Sequence, residues 1–242
     1  MSEPMLDVRS LNAWYGAAQI LFDLSFHVGR GEVVALMGRN GAGKSTTIKA
    51  LMALIERRSG AVYFRGEDIS RLRTFEIARR GLGYVPEDRR IFSDLTVLEN
   101  LDIGHQAPRH FPDGPPAPSW TQDKLFAIFP NLGRMPGRRG AHMSGGEQQM
   151  LTVARTLMGN PLLVLLDEPS EGVAPVIVEQ MANTIVELKK EGLSVLLSEQ
   201  NIHFAQLVSD RVYVLEKGQL RWQGRMSDLA SDTAAQRSLL SV

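Results

Sequence analysis

A glycine-rich run that ends in lysine and serine is the strongest chemical feature of the sequence. Residues 38–46 match the pattern G-x-x-x-x-G-K-[ST] at every position, between an apolar run and a helical pattern. In such a loop, backbone N–H groups surround phosphate oxygens, Lys44 reaches the β- and γ-phosphates, and Ser45 can bind Mg²⁺. We predict that this segment, the phosphate loop, binds nucleotide phosphates through Gly38, Arg39, Asn40, Gly41, Ala42, Gly43, Lys44, Ser45 and Thr46.

Two adjacent carboxylates follow a second apolar run. Residues 162–166 are all apolar, and Asp167 and Glu168 come directly after them. Ligands of open α/β sheets bind at the C-terminal ends of the strands. Asp167 is therefore predicted to hold Mg²⁺, directly or with Ser45, and Glu168 to polarise an attacking water. Alone, the pair would also suit an ordinary acidic junction between a strand and a turn.

A third loop has the residues of a second phosphate site. Ser144, Gly145 and Gly146 present a hydroxyl and N–H groups ahead of a helical pattern, and Glu147 completes the spacing of a capping box. With the residues QQML that follow, this segment resembles the signature loop of ATP-binding cassette (ABC) proteins. Members of that family form head-to-tail dimers. The resemblance implies that this loop binds the γ-phosphate of an ATP held by the partner's phosphate loop.

The resemblance covers nearly the whole chain. Tyr15 matches the aromatic residue that stacks on adenine, although it could also pack as an ordinary strand residue. Residues 170–175 follow the carboxylates where the family has its dimer-contact loop. Glu87 lies in the position of the glutamine loop and Gln200 in that of the switch histidine, with His203 as an alternative. The family therefore implies ATP and Mg²⁺ as cofactors.

The resemblance also assigns roles to these residues. It implies Glu168 and Gln200 as the catalytic residues, and Ser45, Asp167 and Glu87 as metal ligands. Glutamate at position 87 and glutamine at 200 are departures that resemble the second ATPase subunit of branched-chain amino-acid importers. Glu171 is a further departure, since that subfamily usually has an apolar residue there.

The hydrophobic pattern predicts the elements that carry these loops. Uninterrupted apolar runs at 33–37 and 162–166, and the mostly apolar run at 193–197, indicate strands buried on both faces, and the alternation over 20–28 indicates a half-buried strand. Helices are predicted from the phosphate loop to Gly60, after Thr96, after Ser144 and over 178–188, with a hairpin at 212–222. Buried strands that alternate with helices predict a mainly parallel sheet.

We therefore predict an α/β fold with a P-loop NTPase-like, mainly parallel sheet. By resemblance to the ABC ATPases, it also has an antiparallel β subdomain and a helical insertion. Residues 1–242 form one ABC ATPase domain, with 1–87 and 156–242 as nucleotide-binding core and 88–155 as helical subdomain. Five prolines between residues 108 and 118 predict a solvated loop within that subdomain.

Composition excludes several classes of function. The 242 residues include 27 basic and 27 acidic side chains and no cysteine. Zero net charge argues against a general nucleic-acid binder, and the lack of cysteine excludes disulfides, thiolate zinc sites and a cysteine nucleophile. The longest apolar run has six residues, whereas a membrane-spanning helix needs about twenty. We expect the chain to reach a membrane only through a partner.

The predicted function is that of the ATP-hydrolysing subunit of an importer for branched-chain or other hydrophobic amino acids, or for a related small solute. The resemblance implies two multi-spanning permease subunits, a paralogous ATPase subunit or a second copy of this chain, and indirectly a solute-binding protein. It places the chain peripherally at the cytoplasmic face of the inner membrane. The alternatives are the ATPase of a lipid- or lipopolysaccharide-exporting complex and a soluble ABC protein without a transport role.

Overall fold

The computed structural model describes residues 3–111 and 117–240. Within these ranges the strands are β1 (Leu6–Tyr15), β2 (Ala18–Val28), β3 (Val33–Met37), β4 (Arg57–Phe64), β5 (Glu67–Asp68), β6 (Leu82–Val85), β7 (Leu163–Asp167), β8 (Ser194–Glu199), β9 (Arg211–Glu216) and β10 (Gln219–Arg225). The α-helices are α1 (Lys44–Leu51), α2 (Thr74–Arg79), α3 (Val97–Gly104), α4 (Gln122–Ile128), α5 (Pro130–Gly133), α6 (Gly145–Met158), α7 (Pro175–Lys190), α8 (Ile202–Val208), α9 (Met226–Ser231) and α10 (Thr233–Leu239). No helix among these residues is long and apolar enough to cross a bilayer.

Two sheets form the framework. The larger has the order β10-β9-β3-β8-β7-β6, in which only β10 is antiparallel to its neighbour. The smaller sheet is antiparallel, with the order β2-β1-β4-β5. This arrangement confirms the predicted fold class.

The central strands are buried on both faces, as their apolar runs predict. Alternate residues of β3 belong to two separate hydrophobic clusters, one for each face of the sheet. One cluster includes residues of α6, α7 and α8, and the other includes residues of α1, β1 and β2. Both faces are therefore covered, which explains why strict alternation of polar residues is missing in β3, β7 and β8.

The predicted alternation in β2 holds only in its second half. Asp23 has a φ of 52°, and the register against β1 shifts between Leu24 and Leu21. This bulge reverses the side chains that precede it. Leu21 is consequently buried, whereas Phe22, which the sequence pattern placed on the buried face, is 38% exposed.

The prediction that the first helix extends to Gly60 is wrong. The helix α1 ends at Leu51, and Gly60 lies within β4. Ala53 has a φ of 55°, its N–H donates to Ala50 O, and Leu54 N–H donates to Lys49 O. These two bonds form a helix-ending Schellman motif, with alanine where glycine is usual.

Both predicted capping boxes are present. The Thr96 side chain accepts from Glu99 N, and the Ser144 side chain accepts from Glu147 N, so that they start α3 and α6. Between residues 88 and 155 the described part of the chain holds helices and the isolated bridge between Thr96 and Arg139, but no strand. The division into core and helical subdomain remains a prediction.

The proline-rich segment is anchored at both sides. Residues 108–111 and 117–118 have neither helix nor strand, and residues 112–116 of this predicted loop lie outside the described residues. On one side Arg109 donates to Gly159 O and Asn160 O. On the other side, Trp120 N donates to the Asn160 side chain at 2.7 Å. The same side chain donates to Gln106 O, before the segment, at 2.7 Å. Asn160 therefore joins the two sides.

Candidate functional site

The phosphate loop connects β3 to α1 in a conformation that requires glycine. Gly38 has a φ of 148°, and a Cβ there would lie 2.4 Å from Leu215 O. Gly43 has a φ of 105° and caps α1, and a Cβ there would lie 2.8 Å from a methyl carbon of Leu21. Any larger residue at these two positions would clash, so the loop can keep this path only with glycine.

Lys44 lies buried inside this loop and is already fully engaged. Its Nζ donates to Gly38 O at 2.9 Å and to Arg39 O at 3.3 Å. It also forms an ion pair with Glu168 Oε1 at 3.1 Å. The lysine and glutamate side chains are only 3% and 9% exposed. Glu168, directly after β7, therefore contacts the phosphate loop.

Asp167 is oriented by a partner on the neighbouring strand. Ser198 Oγ, on β8, donates to Asp167 Oδ1 at 2.7 Å, and Tyr84 OH lies 3.5 Å from Asp167 Oδ2. Burial and the negative charge of Asp167 raise the pKa of the Tyr84 phenol, so this hydroxyl stays protonated. One carboxylate oxygen is therefore held firmly and the other is left with capacity for a further ligand.

Glu168 leaves the strand in a left-handed conformation. Its φ is 48°, and its N–H donates to Ser198 O at 3.2 Å and to Ser198 Oγ at 3.0 Å. Residues other than glycine rarely adopt this conformation, and they do so where the surrounding structure holds them. The turn directs the carboxylate to Lys44 instead of along the strand.

A second glutamate, Glu171, lies next to Glu168. The Glu171 carboxyl forms a hydrogen bond with the Glu168 carboxylate. This bond, burial, and the charges of Glu168 and Glu87 raise the pKa of Glu171 to about 7. Burial alone would raise the pKa of Glu168, but the bond from Glu171 and the charge of Lys44 bring it below its ordinary value. Near neutral pH the two carboxyl groups therefore share one proton for much of the time.

The other predicted site residues lie around this centre at different depths. Tyr15 ends β1 and is 49% exposed. Glu87 is exposed two residues beyond β6. Gln200 follows β8 directly and is exposed, whereas His203 lies on α8. Within the part of the chain that the structure describes, Lys44 Nζ bonds Gly38, Arg39 and Glu168 and none of these side chains.

The signature loop lies against other parts of the chain. Ser144 and Glu147 exchange bonds at the start of α6, where Ser144 N donates to Glu147 Oε2 at 2.7 Å. The atoms nearest to a Cβ at Gly145 belong to the Arg89 guanidinium, and those nearest to one at Gly146 belong to Ile177. Within one chain these two glycines therefore pack against the loop after β6 and against α7.

Comparison with known proteins identifies the family. The sequence profile of the ABC transporter family matches residues 21–171. The chain belongs to this family. It is accordingly an ATP-hydrolysing enzyme with an ABC ATPase fold.

Relatives of this ABC ATPase include ATP-binding proteins of amino-acid transport and of lipopolysaccharide export. It is 43% identical over 216 residues to the high-affinity branched-chain amino acid transport ATP-binding protein BraG of Pseudomonas aeruginosa, with 89% of this chain and 91% of BraG covered. It is 33% identical to the lipopolysaccharide export system ATP-binding protein LptB of Haemophilus influenzae, with 98% and 97% covered. The crystal structure of the ADP conformation of an ATP-binding cassette of an ABC transporter matches with a TM-score of 0.79, 28% identity, and 96% and 97% of the two chains covered.

The donor set of this ABC ATPase fits Mg²⁺. The Ser45 hydroxyl and Asp167 Oδ2 are hard oxygen donors, which is the type that Mg²⁺ prefers. Two protein ligands also suit this ion, since it usually completes its shell with phosphate oxygens and water. Among the described residues no group of three or more histidine and carboxylate side chains could hold a metal. A magnesium site here would therefore depend on the nucleotide.

Sequence reasoning missed two residues of the site. Ser198 and Glu199 are buried at the end of β8, yet both are polar. Ser198 orients Asp167, and Glu199 receives N–H groups from two loops. A polar pair directly after three apolar residues of a buried strand, and directly before Gln200, is the signal that could have identified them.

Proposed function

We propose that this ABC ATPase powers a membrane importer for branched-chain or other hydrophobic amino acids, or for a related small solute. The observation that carries the proposal is the 43% identity to BraG over nine-tenths of both chains. Glu87 and Gln200, the two departures from the common cassette pattern, agree with this subfamily. Peripheral attachment to the cytoplasmic face of the membrane follows from the proposal.

ATP would bind between two cassettes. The phosphate loop of one chain would hold the phosphates, with Tyr15 against the adenine, while Ser144 to Glu147 of the other would close on the γ-phosphate. Lys44 must then exchange carbonyl oxygens and Glu168 for phosphate oxygens. This exchange is favourable because a triphosphate brings more negative charge than the single carboxylate that it replaces.

Hydrolysis would use the carboxylate that Lys44 releases. Glu168, whose pKa lies below its ordinary value, is ionised at neutral pH and can accept a proton from the attacking water. Gln200 would donate to the γ-phosphate through its amide, which carries no charge. Ser45, Asp167 and Glu87 would hold Mg²⁺, which neutralises charge on the β- and γ-phosphates when bound.

A groove beside the site is the proposed docking surface for the permeases. It has a volume of about 610 Å³, and its wall includes the exposed rings of Phe75 and Phe92 and the side chain of Ile103. Tyr84 lines the same groove and reaches Asp167 with its hydroxyl. A permease segment seated in this groove would therefore lie one side chain away from the catalytic carboxylates.

The partner cassette would be a paralogue or a second copy of this chain. Reconstitution with the permeases encoded beside its gene tests the proposal: ATP hydrolysis should rise when the solute-binding protein is loaded with a branched-chain amino acid. A second candidate, lipopolysaccharide export, has the support of LptB at 33% identity over 98% of this chain. Stimulation by lipopolysaccharide and not by an amino acid would replace the first proposal with the second.

A further inference from the structure

Glu199 is a buried carboxylate that forms no ion pair with the residues that the structure describes. It is 1% exposed at the end of β8. Among the described residues, its hydrogen-bond donors are backbone N–H groups and the side chain of Ser170. A buried carboxylate of this kind is costly unless several donors surround it. The role of Glu199 should therefore lie in the segments of the chain that supply these donors.

The donors come from two separate loops. Ser170 N, in the dimer-contact loop, donates to Glu199 Oε1 at 3.0 Å. Gln200 N and Asn201 N, both directly after β8, donate to Oε2 at 3.2 Å each. One oxygen thus holds the dimer-contact loop, and the other holds the segment that carries Gln200.

We propose that Glu199 is a positioning residue that couples Gln200 to the dimer-contact loop, residues 170–175. A shift of that loop when two cassettes close is transmitted through Ser170 and the rigid carboxylate to the backbone of Gln200. Gln200 then reaches the γ-phosphate only when the partner is docked. The inference rests on the proposed role of Gln200 and on the proposed dimer.

The chemistry of the carboxylate suits this task. An ionised carboxylate is an acceptor at both oxygens, so it can serve the two loops at the same time. Burial raises the pKa of Glu199, as does the negative charge of Glu168, while the bonds from Ser170 and Asn201 lower it. In Glu199→Gln the amide oxygen would still accept hydrogen bonds, but the NH₂ group would face backbone N–H donors. The bond to one of the two loops would then be lost.

The experiment compares steady-state ATP hydrolysis of Glu199→Gln, Gln200→Ala and the double variant in the assembled transporter. We expect Glu199→Gln to lower kcat about tenfold, the equivalent of one lost charge-assisted bond, with the KM for ATP changed by less than about twofold. The double variant should be no slower than Gln200→Ala, because Glu199 acts through Gln200. Multiplied losses in the double variant would overturn the coupling.

Two further variants keep the test decisive. Ser170→Pro removes both the N–H and the side-chain donor that the dimer-contact loop offers to Glu199, while Glu199 stays intact, so it should reproduce the kcat loss of Glu199→Gln even if that variant folds poorly. The matched control is Asp210→Asn. Asp210 accepts a bond from Val33 N at the opposite end of the same sheet, so its substitution should lower Tm and leave kcat unchanged.

The outcomes separate this inference from the proposed role of Gln200. If Gln200→Ala retains full activity, both the switch role of Gln200 and the coupling are overturned. If Gln200→Ala is slow while Glu199→Gln and Ser170→Pro hydrolyse ATP at the wild-type rate, the coupling alone is overturned.

Discussion

Lys44 and Glu168 neutralise each other in the buried floor of the site. Each would be costly to bury alone, because an unpaired charge in a protein interior loses its hydration. The pairing therefore keeps the phosphate loop folded around its lysine before a nucleotide arrives. Substitutions of either residue change the charge of the site as well as its chemistry.

Glu168→Gln separates nucleotide binding from hydrolysis. The amide has the same shape and cannot accept a proton from water, so we expect kcat to fall at least about a hundredfold, the usual range for a general base. ATP binding should persist, and an ATP-stabilised dimer should accumulate in gel filtration. Glu216→Gln, at an exposed position, is the control. If Glu168→Gln hydrolyses ATP at the wild-type rate, another residue is the general base.

Glu171 should make the stability of the nucleotide-free protein depend on pH. Its pKa is about 7 in the folded chain and its ordinary value is 4.5. The folded state therefore binds this proton more tightly, and the resulting stability is present below pH 4.5 and is lost as the pH rises through about 7. We expect the Tm of wild type to fall between pH 5 and 8 relative to that of Glu171→Gln.

The control for this pH dependence is Glu179→Gln, which removes an exposed carboxylate of α7. It should follow the wild-type Tm over the same pH range. Parallel curves for wild type and Glu171→Gln would show that no proton is shared between Glu168 and Glu171.

At the scale of elements, α6 connects the signature loop to the loop after β6. Thr152 Oγ1 and Arg155 Nη2, on α6, donate to Arg89 O and Arg90 O at 2.6 Å each. These two arginines have φ values of 64° and 45°, a conformation that such bonds help to hold. Glu87 and the signature loop are thus joined through one helix.

Ser144→Ala should lower both the stability of the protein and its ATP-dependent dimerisation, whereas Thr96→Ala should lower the stability alone. Loss of either cap should lower the free energy of unfolding by about 1 kcal/mol, measured by urea denaturation. Only Ser144→Ala should also weaken the ATP-dependent dimer, measured in a Glu168→Gln background, because only α6 faces the partner's nucleotide in the proposed dimer. If the two variants dimerise equally well, the signature loop is not part of the dimer interface.

The sequence predicts these elements where a local signal exists. Capping boxes identify the starts of α3 and α6, uninterrupted apolar runs identify β3 and β7, and a mostly apolar run identifies β8. The end of α1 escapes prediction because Ala53, and not a glycine, adopts the left-handed conformation that ends it. Likewise β6 is short and contains Gly83, and only its pairing with β7 makes it a strand.

The same limit applies to the site. The phosphate loop, Asp167 and Glu168 can be predicted because each motif consists of residues that are consecutive in the sequence. The sharing of a proton by Glu168 and Glu171 depends on the left-handed turn at Glu168, and the bond of Ser198 to Asp167 depends on the order of β7 and β8. Both are products of tertiary structure.

For the whole molecule, we expect membrane attachment through protein contacts alone. The purified chain should not bind protein-free liposomes, in agreement with its zero net charge, but should bind proteoliposomes that contain the permeases. Ile103→Glu should weaken that binding about tenfold, because a charge would be buried in the groove. Leu207→Glu, at a residue 67% exposed on α8, is the control. Binding to bare liposomes would contradict the expectation.

Asn160 has a consequence for the order in which the molecule folds. Its side chain bonds residues 40 and 54 positions away in the sequence, so these bonds form only after a long loop has closed. Interactions formed that late act mainly on the rate of unfolding. Asn160→Gly permits the same backbone, whose φ is 48°, and removes the bonds. In stopped-flow measurements it should accelerate unfolding about tenfold and leave the refolding rate nearly unchanged, so that Asn160 would lengthen the lifetime of the native state without hastening its formation.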